Sequence, residues 1–283
     1  MAIVKIPAGY YQQFDADPSL DHPGQGYGGW QRAEIRIDTD HTAFVVMHAW
    51  DTGSPEDYGG WHRAVEYFPR AEKICREVLP PLLGAIRSGD MTMFHVAGGG
   101  RYHEHHPGYR AAVELAGPEP DAVEPVAGDP VYEELNRFRA ERVFPGARNS
   151  ADIERGFARI DFPAQARPEP EEGVAVNGRQ LAALCRAHGI NHLIYMGFAI
   201  NWCLLMSPGG MLDMRRYGVI CSAIRQAVTA VENRETAATE AAKELALWRV
   251  ALAFGFVFEL QDVMEMLNRD RTPVKGLPSG HPI

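Results

Sequence analysis

The chain has 283 residues, a formal net charge of −9, 46% hydrophobic residues and 23% charged residues. This balance is typical of a globular protein with a full core, and the length suits one large domain with insertions. The acidic balance and the lack of any Lys/Arg run exclude nucleic acid and anionic membranes as expected partners.

The first half of the chain predicts one βαβ unit. Residues 1–40 show no regular pattern and are predicted to be irregular. "TAFVVM" (Thr42–Met47) is a continuous apolar run that predicts a buried strand. Residues 70–89 have apolar side chains at helical spacing, with a break predicted at Pro80 and Pro81. Residues 91–100 predict a second strand, parallel to the first and joined by a right-handed crossover.

The second half repeats the alternation after a long insertion. Residues from about 98 to 178 are rich in Pro, Gly and Glu and contain one predicted helix, at 131–144. The later predicted elements are helices at 179–190 (ending at Gly189), 203–218 (broken at Pro208), 235–255 and 261–268, and strands at 191–197 and 219–224. The pattern predicts a single α/β domain, 1–283, with a mostly parallel sheet between two layers of helices.

The cysteines bear on the compartment. Cys75, Cys185, Cys203 and Cys221 show no CxxC spacing, and three of them lie in apolar segments, which favours reduced thiols in a cytosolic protein. The N-terminus lacks the apolar core of a signal peptide, and no stretch reaches the ~18 apolar residues of a membrane helix. A cytoplasmic protein is expected.

Cys203 is the candidate for chemistry. It follows the predicted strand 191–197 and begins the next helix. Ligands of open parallel sheets bind beyond the carboxyl ends of the strands, and a helix N-terminus stabilises a thiolate. On position alone, a buried structural cysteine is an equal alternative. The G-x-S-x-G, P-loop and H-E-x-x-H signatures of competing sites are missing.

Two segments carry a resemblance to a known family. "GFAINWCLLMSPGGMLDMRRYG" contains Gly197, Asn201, Cys203, Pro208, Met214 and Gly218. These residues resemble the G-x-x-T-N-x-C turn, and the Pro, Met and Gly after it, of the isochorismatase-like hydrolases. "HTAFVVMHAWDTG" is similar to the first strand of that family, and its "HAWD" to a D-M-W-D subgroup. The similarity covers roughly 40–97 and 175–265 and implies the family's three-layer α/β/α sandwich.

The chain departs from the family at two of three triad positions. The family's Cys attacks a carbonyl or imine-like carbon, its Asp activates the thiol, and its Lys stabilises negative charge. His48 stands at the Asp position, and no lysine occurs between Lys73 and Lys243. The Thr of the turn is Ile200, and a common Asp near the end of the next strand is Gln226.

Two interpretations follow from these departures. In the first, His48 is the base of a Cys–His pair with Cys203, since imidazole titrates near neutrality. The backbone N–H groups of the turn at Ile200, Asn201 and Trp202 would then hold the oxyanion. In the second, the fold is kept, the chemistry is lost, and the cleft binds a small molecule or a protein partner.

An arginine would have to replace the lysine in an active enzyme. Arg159 and Arg167 lie upstream of the helix 179–190 and are the candidates. Either guanidinium could stabilise negative charge but could not act as an acid.

Other side chains are expected to shape the pocket. Trp50 is either a pocket wall or a core aromatic, and Asp51 is either a cleft residue or the cap of the turn into "TGSPED". The loop at 98–110 resembles that of the D-M-W-D subgroup, so His95, Arg101 and Tyr102 are placed in the pocket. "YGGWQRA" and "YGGWHRA", at 27–33 and 58–64, are either local turns or a paired aromatic wall.

His103, His105 and His106 next to Glu104 suggest a metal site, since imidazole and carboxylate suit zinc or iron. The D-x-H spacing of the metal-binding nicotinamidases is missing, so a solvated or substrate-contacting loop is predicted and no metal. The glycines after Ala97 do not form G-x-G-x-x-G, and no cofactor is expected.

The resemblance therefore implies a hydrolase that cleaves a C–N bond of a small amide, ureide or imide through Cys203. Its partners would be a small-molecule substrate and further copies of the chain in a homo-oligomer.

Overall fold

A computed structural model of the chain describes residues 3–89, 91–120 and 122–269, and its strands form a single sheet. The strands are β1 (Ile3–Gln12), β2 (Gly29–Asp38), β3 (Thr42–Met47), β4 (Met93–Val96), β5 (Gly173–Ala175), β6 (His192–Phe198), β7 (Ile220–Thr229) and β8 (Val257–Phe258). Their order is β2-β1-β8-β7-β6-β3-β4-β5. The strands β3 to β8 pair in parallel, and β1 and β2 are antiparallel additions at one edge.

Helices cover both faces of the sheet. They are α1 (Gly59–Ala64), α2 (Phe68–Glu77), α3 (Leu79–Ser88), α4 (Pro107–Ala116), α5 (Pro130–Arg142), α6 (Ser150–Arg159), α7 (Gly178–His188), α8 (Met211–Arg216), α9 (Ala241–Ala253) and α10 (Leu260–Arg269). Alternate residues of β3 and β6 point to opposite layers: Phe44 and Ile194 pack with α2, α3 and α10, whereas Val45 and Tyr195 pack with α4, α7, α8 and α9. The predicted three-layer α/β/α sandwich with a mostly parallel sheet is confirmed.

The irregular N-terminal segment was a wrong prediction. The described part of 1–40 is largely a hairpin, in which β1 and β2 pair from Ile3↔Asp38 to Gln12↔Gly29. Ile6 and Ala8 are buried, but Pro7 and Gly9 interrupt the apolar alternation that would have indicated a strand.

The insertion is more ordered than its composition predicts. Besides α5, which matches the predicted helix, it contains α4 and α6, and it returns to the sheet as the edge strand β5. None of the residues of α5 is buried, so this helix lies on the surface of the domain.

The other boundaries follow the predicted breaks. The chain divides between α2 and α3, with Pro80 and Pro81 in the first turn of α3. Gly189 ends α7 with φ +69°, and a break at 207–210 precedes α8. The strand predicted at 91–100 is shorter than expected and consists of β4, Met93–Val96. The strand predicted at 219–224 is longer and extends to Thr229, and the sequence did not predict β8. Within the described residues, no helix has both the length and the apolar character needed to cross a bilayer.

Candidate active site

The turn after β6 carries Cys203. Gly197 has φ +119°, and a Cβ there would overlap the backbone carbonyl of Met47 on β3, so only glycine fits. The backbone then forms one π-helical turn, Ile200–Leu204. The N–H groups of Trp202 and Leu204 both donate to the Ala199 carbonyl, at 3.1 and 3.2 Å. The predicted oxyanion role therefore fails for the Trp202 N–H, which is already used.

Asn201 holds this turn in place. Its Nδ2 donates to the Val231 carbonyl at 2.8 Å, and its Oδ1 accepts from the Val231 N–H at 2.9 Å. The side chain thus pairs with backbone as another strand would, and it ties the turn to the segment after β7. Ile200 is fully buried and packs in the core. Both side chains position Cys203 rather than contact a ligand.

A cavity of about 500 Å³ opens at Cys203. It is lined by Trp50, Trp61, Ala64, Val65, Tyr67, Arg139, Val143, Phe144, Ile153, Phe157, Ala199, Trp202, Cys203 and Val231. This size is in the range of small-molecule sites. The cavity lies at the carboxyl edge of the parallel strands, where the α/β topology places ligands.

Cys203 differs from the other cysteines in its surroundings. It is half-buried and borders the cavity, whereas Cys75, Cys185 and Cys221 are buried. Burial raises the pKa of the Cys75 and Cys185 thiols to about 12 and raises that of Cys221 further. Only Cys203 is placed to react with a ligand in the cavity.

Tyr67 is a site residue that the sequence did not reveal. Burial, together with the charge of a Cys203 thiolate, raises the pKa of Tyr67 well above its usual value, so the phenol stays protonated. It lines the cavity, and its hydroxyl makes no hydrogen bond with a described residue. The O–H can therefore donate to a ligand or to developing negative charge. No motif marks Tyr67, because only the packing of α2 against β7 brings it to Cys203.

His48 is close to the site but is not paired with Cys203. It follows β3 in a left-handed conformation with φ +50°, and its ring stacks on Trp50 with centroids 5.1 Å apart. It does not line the cavity, no hydrogen bond joins it to Cys203 in the described structure, and its buried Nδ1 has no partner. Burial lowers the pKa of His48 to about 4. The expected Cys–His hydrogen bond is therefore not formed.

Asp51, Arg159 and Arg167 form ion pairs away from the cavity lining. Asp51 accepts from the Gly53 N–H at 3.0 Å and from Arg159 at 2.9 Å, so it caps the turn. Burial acts to raise the pKa of Asp51, but these hydrogen bonds outweigh it and the pKa is lowered. Arg167 pairs with Asp161 at 2.6 Å. Neither arginine lines the cavity, and each forms an ion pair with a carboxylate.

Trp50 does line the cavity, and Tyr102 supports it from behind. The Trp50 Nε1–H donates to the Tyr102 hydroxyl at 3.1 Å, and that hydroxyl also contacts the Gly98 backbone at 3.2 Å. Arg101, in contrast, has an 86% exposed side chain paired with Glu104. Of the predicted loop residues, Tyr102 acts through Trp50 and Arg101 lies on the surface.

His95 belongs to a separate buried network and not to the pocket. Its Nε2 is 2.9 Å from the Glu172 carboxylate, which also accepts two hydrogen bonds from Arg87, at 2.8 and 3.0 Å. Burial lowers the pKa of His95, so the ring is neutral and donates from Nε2. The placement of His95 in the pocket was wrong because its side chain is fully buried in this network.

The other sequence features also separate in space. Trp61 of the second YGGW copy lies in α1 and lines the cavity, whereas Trp30 of the first copy lies on β2 against Tyr11. The two copies therefore form no paired wall. His106 accepts from the Gly108 N–H, and His103 packs edge-on against Tyr109. Within the described residues, no group of three or more His, Cys, Asp or Glu side chains could hold a metal ion.

Several solved structures are similar to this chain at low sequence identity. No family model and no curated protein matches the chain. Among solved structures, it is similar to a cysteine hydrolase from Pseudomonas syringae pv. phaseolicola 1448A, with 15% identity and a TM-score of 0.48 over 82% of this chain and 95% of that chain. It is similar to an isochorismatase-like hydrolase from Alkaliphilus metalliredigens, with 13% identity and a TM-score of 0.45 over 79% and 97%. It is also similar to N-carbamoylsarcosine amidase from Thermoplasma acidophilum, with 14% identity and a TM-score of 0.40 over 77% and 96%.

One of these structures is named as an isochorismatase-like hydrolase, the class that the sequence resembles. Because the sequence identities to this chain are only 13–15%, the chemistry of this chain has to be inferred from its own residues. Those residues combine a half-exposed thiol, a protonated phenol and an aromatic cavity at the carboxyl edge of a parallel sheet.

Proposed function

We propose that the protein is a cysteine-dependent hydrolase of the isochorismatase-like type that cleaves a C–N bond of an amide, ureide or imide. The observation that carries this proposal is the position of Cys203. Of the four cysteines, it alone borders the cavity, while the other three lie in the core. A nucleophile must reach its substrate, and this thiol is the nucleophilic side chain that does so.

The proposed reaction has two steps. The Cys203 sulfur attacks the carbonyl carbon, the C–N bond breaks, and the amine leaves with a proton while a thioester remains on Cys203. Water then hydrolyses the thioester and regenerates the thiol. The Tyr67 hydroxyl, which burial keeps protonated, would donate a hydrogen bond to the oxyanion that forms in each step. It would supply part of the stabilisation for which the family uses a lysine.

His48 remains the proposed base. Its lowered pKa keeps the imidazole neutral, which a proton acceptor requires, but also makes it a weaker base than an ordinary histidine. Because no hydrogen bond joins it to Cys203, transfer of the thiol proton would need a bridging water or a ring rotation, and such contacts often form only when substrate binds.

The alternative is a protein that binds a small molecule or partner in the same cavity without hydrolysis. A specific observation favours it: among the described residues, no lysine, carboxylate or histidine lines the cavity. Lys275, the last lysine of the sequence, lies outside the described residues. The experiments below separate the two functions.

The role of His48 is tested by the alkylation of Cys203. We expect iodoacetamide to modify one cysteine in the native protein, at Cys203, as read by peptide mass mapping. In His48→Asn the rate near pH 6 should fall about tenfold, because the base that would accept the thiol proton during attack is lost. Asparagine is chosen because it tolerates the left-handed backbone at this position. The exposed His105→Asn is the control, and equal rates in all three proteins would remove His48 from the mechanism.

Hydrolysis itself is tested with 4-nitrophenyl acetate, an activated acyl donor. A hydrolase should release 4-nitrophenol over many turnovers, with an acetyl group transiently detected on Cys203 by mass spectrometry. Release that stops after one equivalent would overturn the hydrolase and leave a binding protein with a reactive thiol. No acetylation at all would also overturn it.

We also propose that a second copy of the chain covers α5. Val131, Leu135 and Phe138 lie at i, i+4 and i+7 on this helix and are 59–61% exposed. Exposed Phe144 and Trp202 continue this apolar surface at the cavity mouth. Exposed apolar patches of this kind mark interaction sites.

Light scattering coupled to size exclusion tests this assembly. The native protein should elute as an oligomer, and Leu135→Glu with Phe138→Glu should shift it toward monomer by placing charge in the interface. Val123→Glu, at a 92% exposed position outside α5, is the matched control. A native protein that is monomeric would contradict the proposal.

A further inference from the structure

The side chains that line the cavity indicate which kind of ligand it can bind. Six aromatic side chains line it: Trp50, Trp61, Tyr67, Phe144, Phe157 and Trp202. Phe157 lies between the two inner tryptophans, with ring centroids 5.0 Å from Trp61 and 5.8 Å from Trp50. Burying an apolar ring against such walls is favourable, whereas burying an unpaired polar group there costs free energy. The cavity therefore suits an aromatic or branched apolar group.

The volume excludes the smallest amides as a good fit. A cavity of about 500 Å³ holds many more atoms than acetamide or urea contain, and ligand pockets typically bury most of the surface of their ligand. A group of two or three heavy atoms would leave the aromatic walls without contacts. The ligand that the walls favour extends well beyond the bond that Cys203 would attack.

Arg139 adds one charge to this surface. It is the only charged side chain among the described residues that line the cavity, and its guanidinium has no ion pair or hydrogen bond with a described residue. Most other arginines that line clefts in this chain, such as Arg87 and Arg225, are committed to carboxylates. An unpaired guanidinium beside an apolar cavity favours a ligand with a carboxylate, which it can bind in a bidentate way.

The insertion supplies both the charge and much of the wall. Arg139 lies on α5, Val143 and Phe144 directly follow it, and Ile153 and Phe157 lie on α6. Cys203 and Trp202 come from the turn after β6, so the sheet presents the thiol and the insertion faces it. Because the insertion and Cys203 line the same cavity, the insertion contributes to which molecule fits beside the thiol.

We propose that the cavity binds an amide whose acyl group has an aromatic or branched apolar body and a carboxylate at the end away from the scissile bond. This inference rests on the proposed function for the bond that is cleaved. The apolar body would contact Phe157 and the tryptophans, and the carboxylate would pair with Arg139 at the exposed rim. The Tyr67 hydroxyl would lie at the carbonyl beside Cys203.

Equilibrium binding to Cys203→Ser, which lacks the proposed nucleophile, tests this ligand class without any turnover. The probes are 4-phenylbutyrate, its neutral analogue 4-phenylbutanamide, and butyrate, with tryptophan fluorescence as the signal because three tryptophans line the cavity. We expect 4-phenylbutyrate to bind at least about tenfold more tightly than butyrate, since the ring is buried, and about fivefold more tightly than the amide, since an exposed ion pair contributes modestly.

Two variants assign the effect to Arg139. Arg139→Gln should remove the roughly fivefold preference for the carboxylate and leave the affinity for 4-phenylbutanamide unchanged. Arg137→Gln, at an exposed position of the same helix that does not line the cavity, should change neither. Equal binding of butyrate and 4-phenylbutyrate, no binding of 4-phenylbutyrate, or an unchanged preference in Arg139→Gln would each overturn the inference.

The binding and turnover experiments can fail independently, so their outcomes distinguish this inference from the proposed function. Binding of 4-phenylbutyrate by a protein that does not turn over 4-nitrophenyl acetate would support the ligand class and refute the hydrolase. Turnover of 4-nitrophenyl acetate by a protein that does not bind 4-phenylbutyrate would support the hydrolase and refute the ligand class.

Discussion

Replacing Cys203 with serine is expected to lower the turnover of 4-nitrophenyl acetate by about 10⁴-fold or more, because loss of a nucleophile removes the covalent step. A serine hydroxyl lacks the acidity of a thiol, and the proposed base His48, whose pKa burial lowers to about 4, is too weak to activate it. The measurement is kcat/KM from the release of 4-nitrophenol, with circular dichroism to show that the fold is kept.

Cys75→Ala is the control for this variant. Cys75 is buried in α2 and does not line the cavity, so its loss should change stability but not kcat/KM. A Cys203→Ser protein that retains a tenth or more of the native activity would show that another group performs the chemistry. Retention of 4-phenylbutyrate binding by the same variant is expected, since serine is close to cysteine in size and the aromatic lining is unchanged.

The second large effect is on stability. Glu172→Gln is expected to lower the free energy of unfolding by about 3 kcal/mol, because it removes the buried carboxylate that pairs with Arg87 and leaves this partly buried guanidinium only the more exposed Glu169. Glu172 accepts hydrogen bonds from His95, from Arg87 and from the Glu169 N–H. The measurement is guanidinium chloride unfolding at pH 7. The exposed Glu171→Gln should stay within about 0.5 kcal/mol of the native protein.

The pH dependence of this effect has a definite sign. Burial acts to raise the pKa of Glu172, but its hydrogen bonds from His95 and Arg87 outweigh burial and lower the pKa to about 2. A carboxyl group with a folded pKa below its unfolded value of 4.5 contributes stability above pH 4.5 and loses it as pH falls toward 2. The difference between the native protein and Glu172→Gln should therefore narrow below pH 4.5. A difference that stays constant down to pH 2 would contradict the assignment.

A separate loss of stability is expected in both proteins at milder acidity. Burial lowers the pKa values of His48 and His192 from 6.5 to about 4. Protons bind these rings more readily in the unfolded chain, so their contribution is lost as pH falls from 6.5 to 4. The stability difference between the native protein and Glu172→Gln is therefore compared below pH 4, where the titration of these two histidines no longer changes the free energy of unfolding.

The layered fold could be predicted because its signals are local. The continuous apolar runs of β3 and β6 indicate strands that are buried on both faces, and Pro80, Gly189 and Pro208 mark helix boundaries. Parallel strands separated by helices fix the edge of the sheet at which Cys203 emerges. The position of the candidate nucleophile therefore follows from the sequence.

The surroundings of Cys203 could not be predicted in the same way. Arg159 and Asp51 are 108 residues apart and form their ion pair only when α6 packs beside the turn after β3. His95 reaches Glu172 across 77 residues of sequence. Charged side chains were expected in the pocket because catalysis often uses charged groups. In the folded protein, most of these side chains form ion pairs with one another instead. Tyr67 and Phe157 reach the cavity through tertiary packing, which leaves no local pattern in the sequence.

The isolation of Cys203 among the four thiols has a consequence for oxidation. The other three cysteines lie in the core, and none lines the cavity. A sulfenic acid formed on Cys203 would therefore find no resolving thiol in the cavity with which to form a disulfide. Further oxidation to the sulfinic acid is irreversible for most proteins. We therefore expect an oxidised Cys203 to be reduced by an external thiol, such as glutathione, and not by another cysteine of this chain.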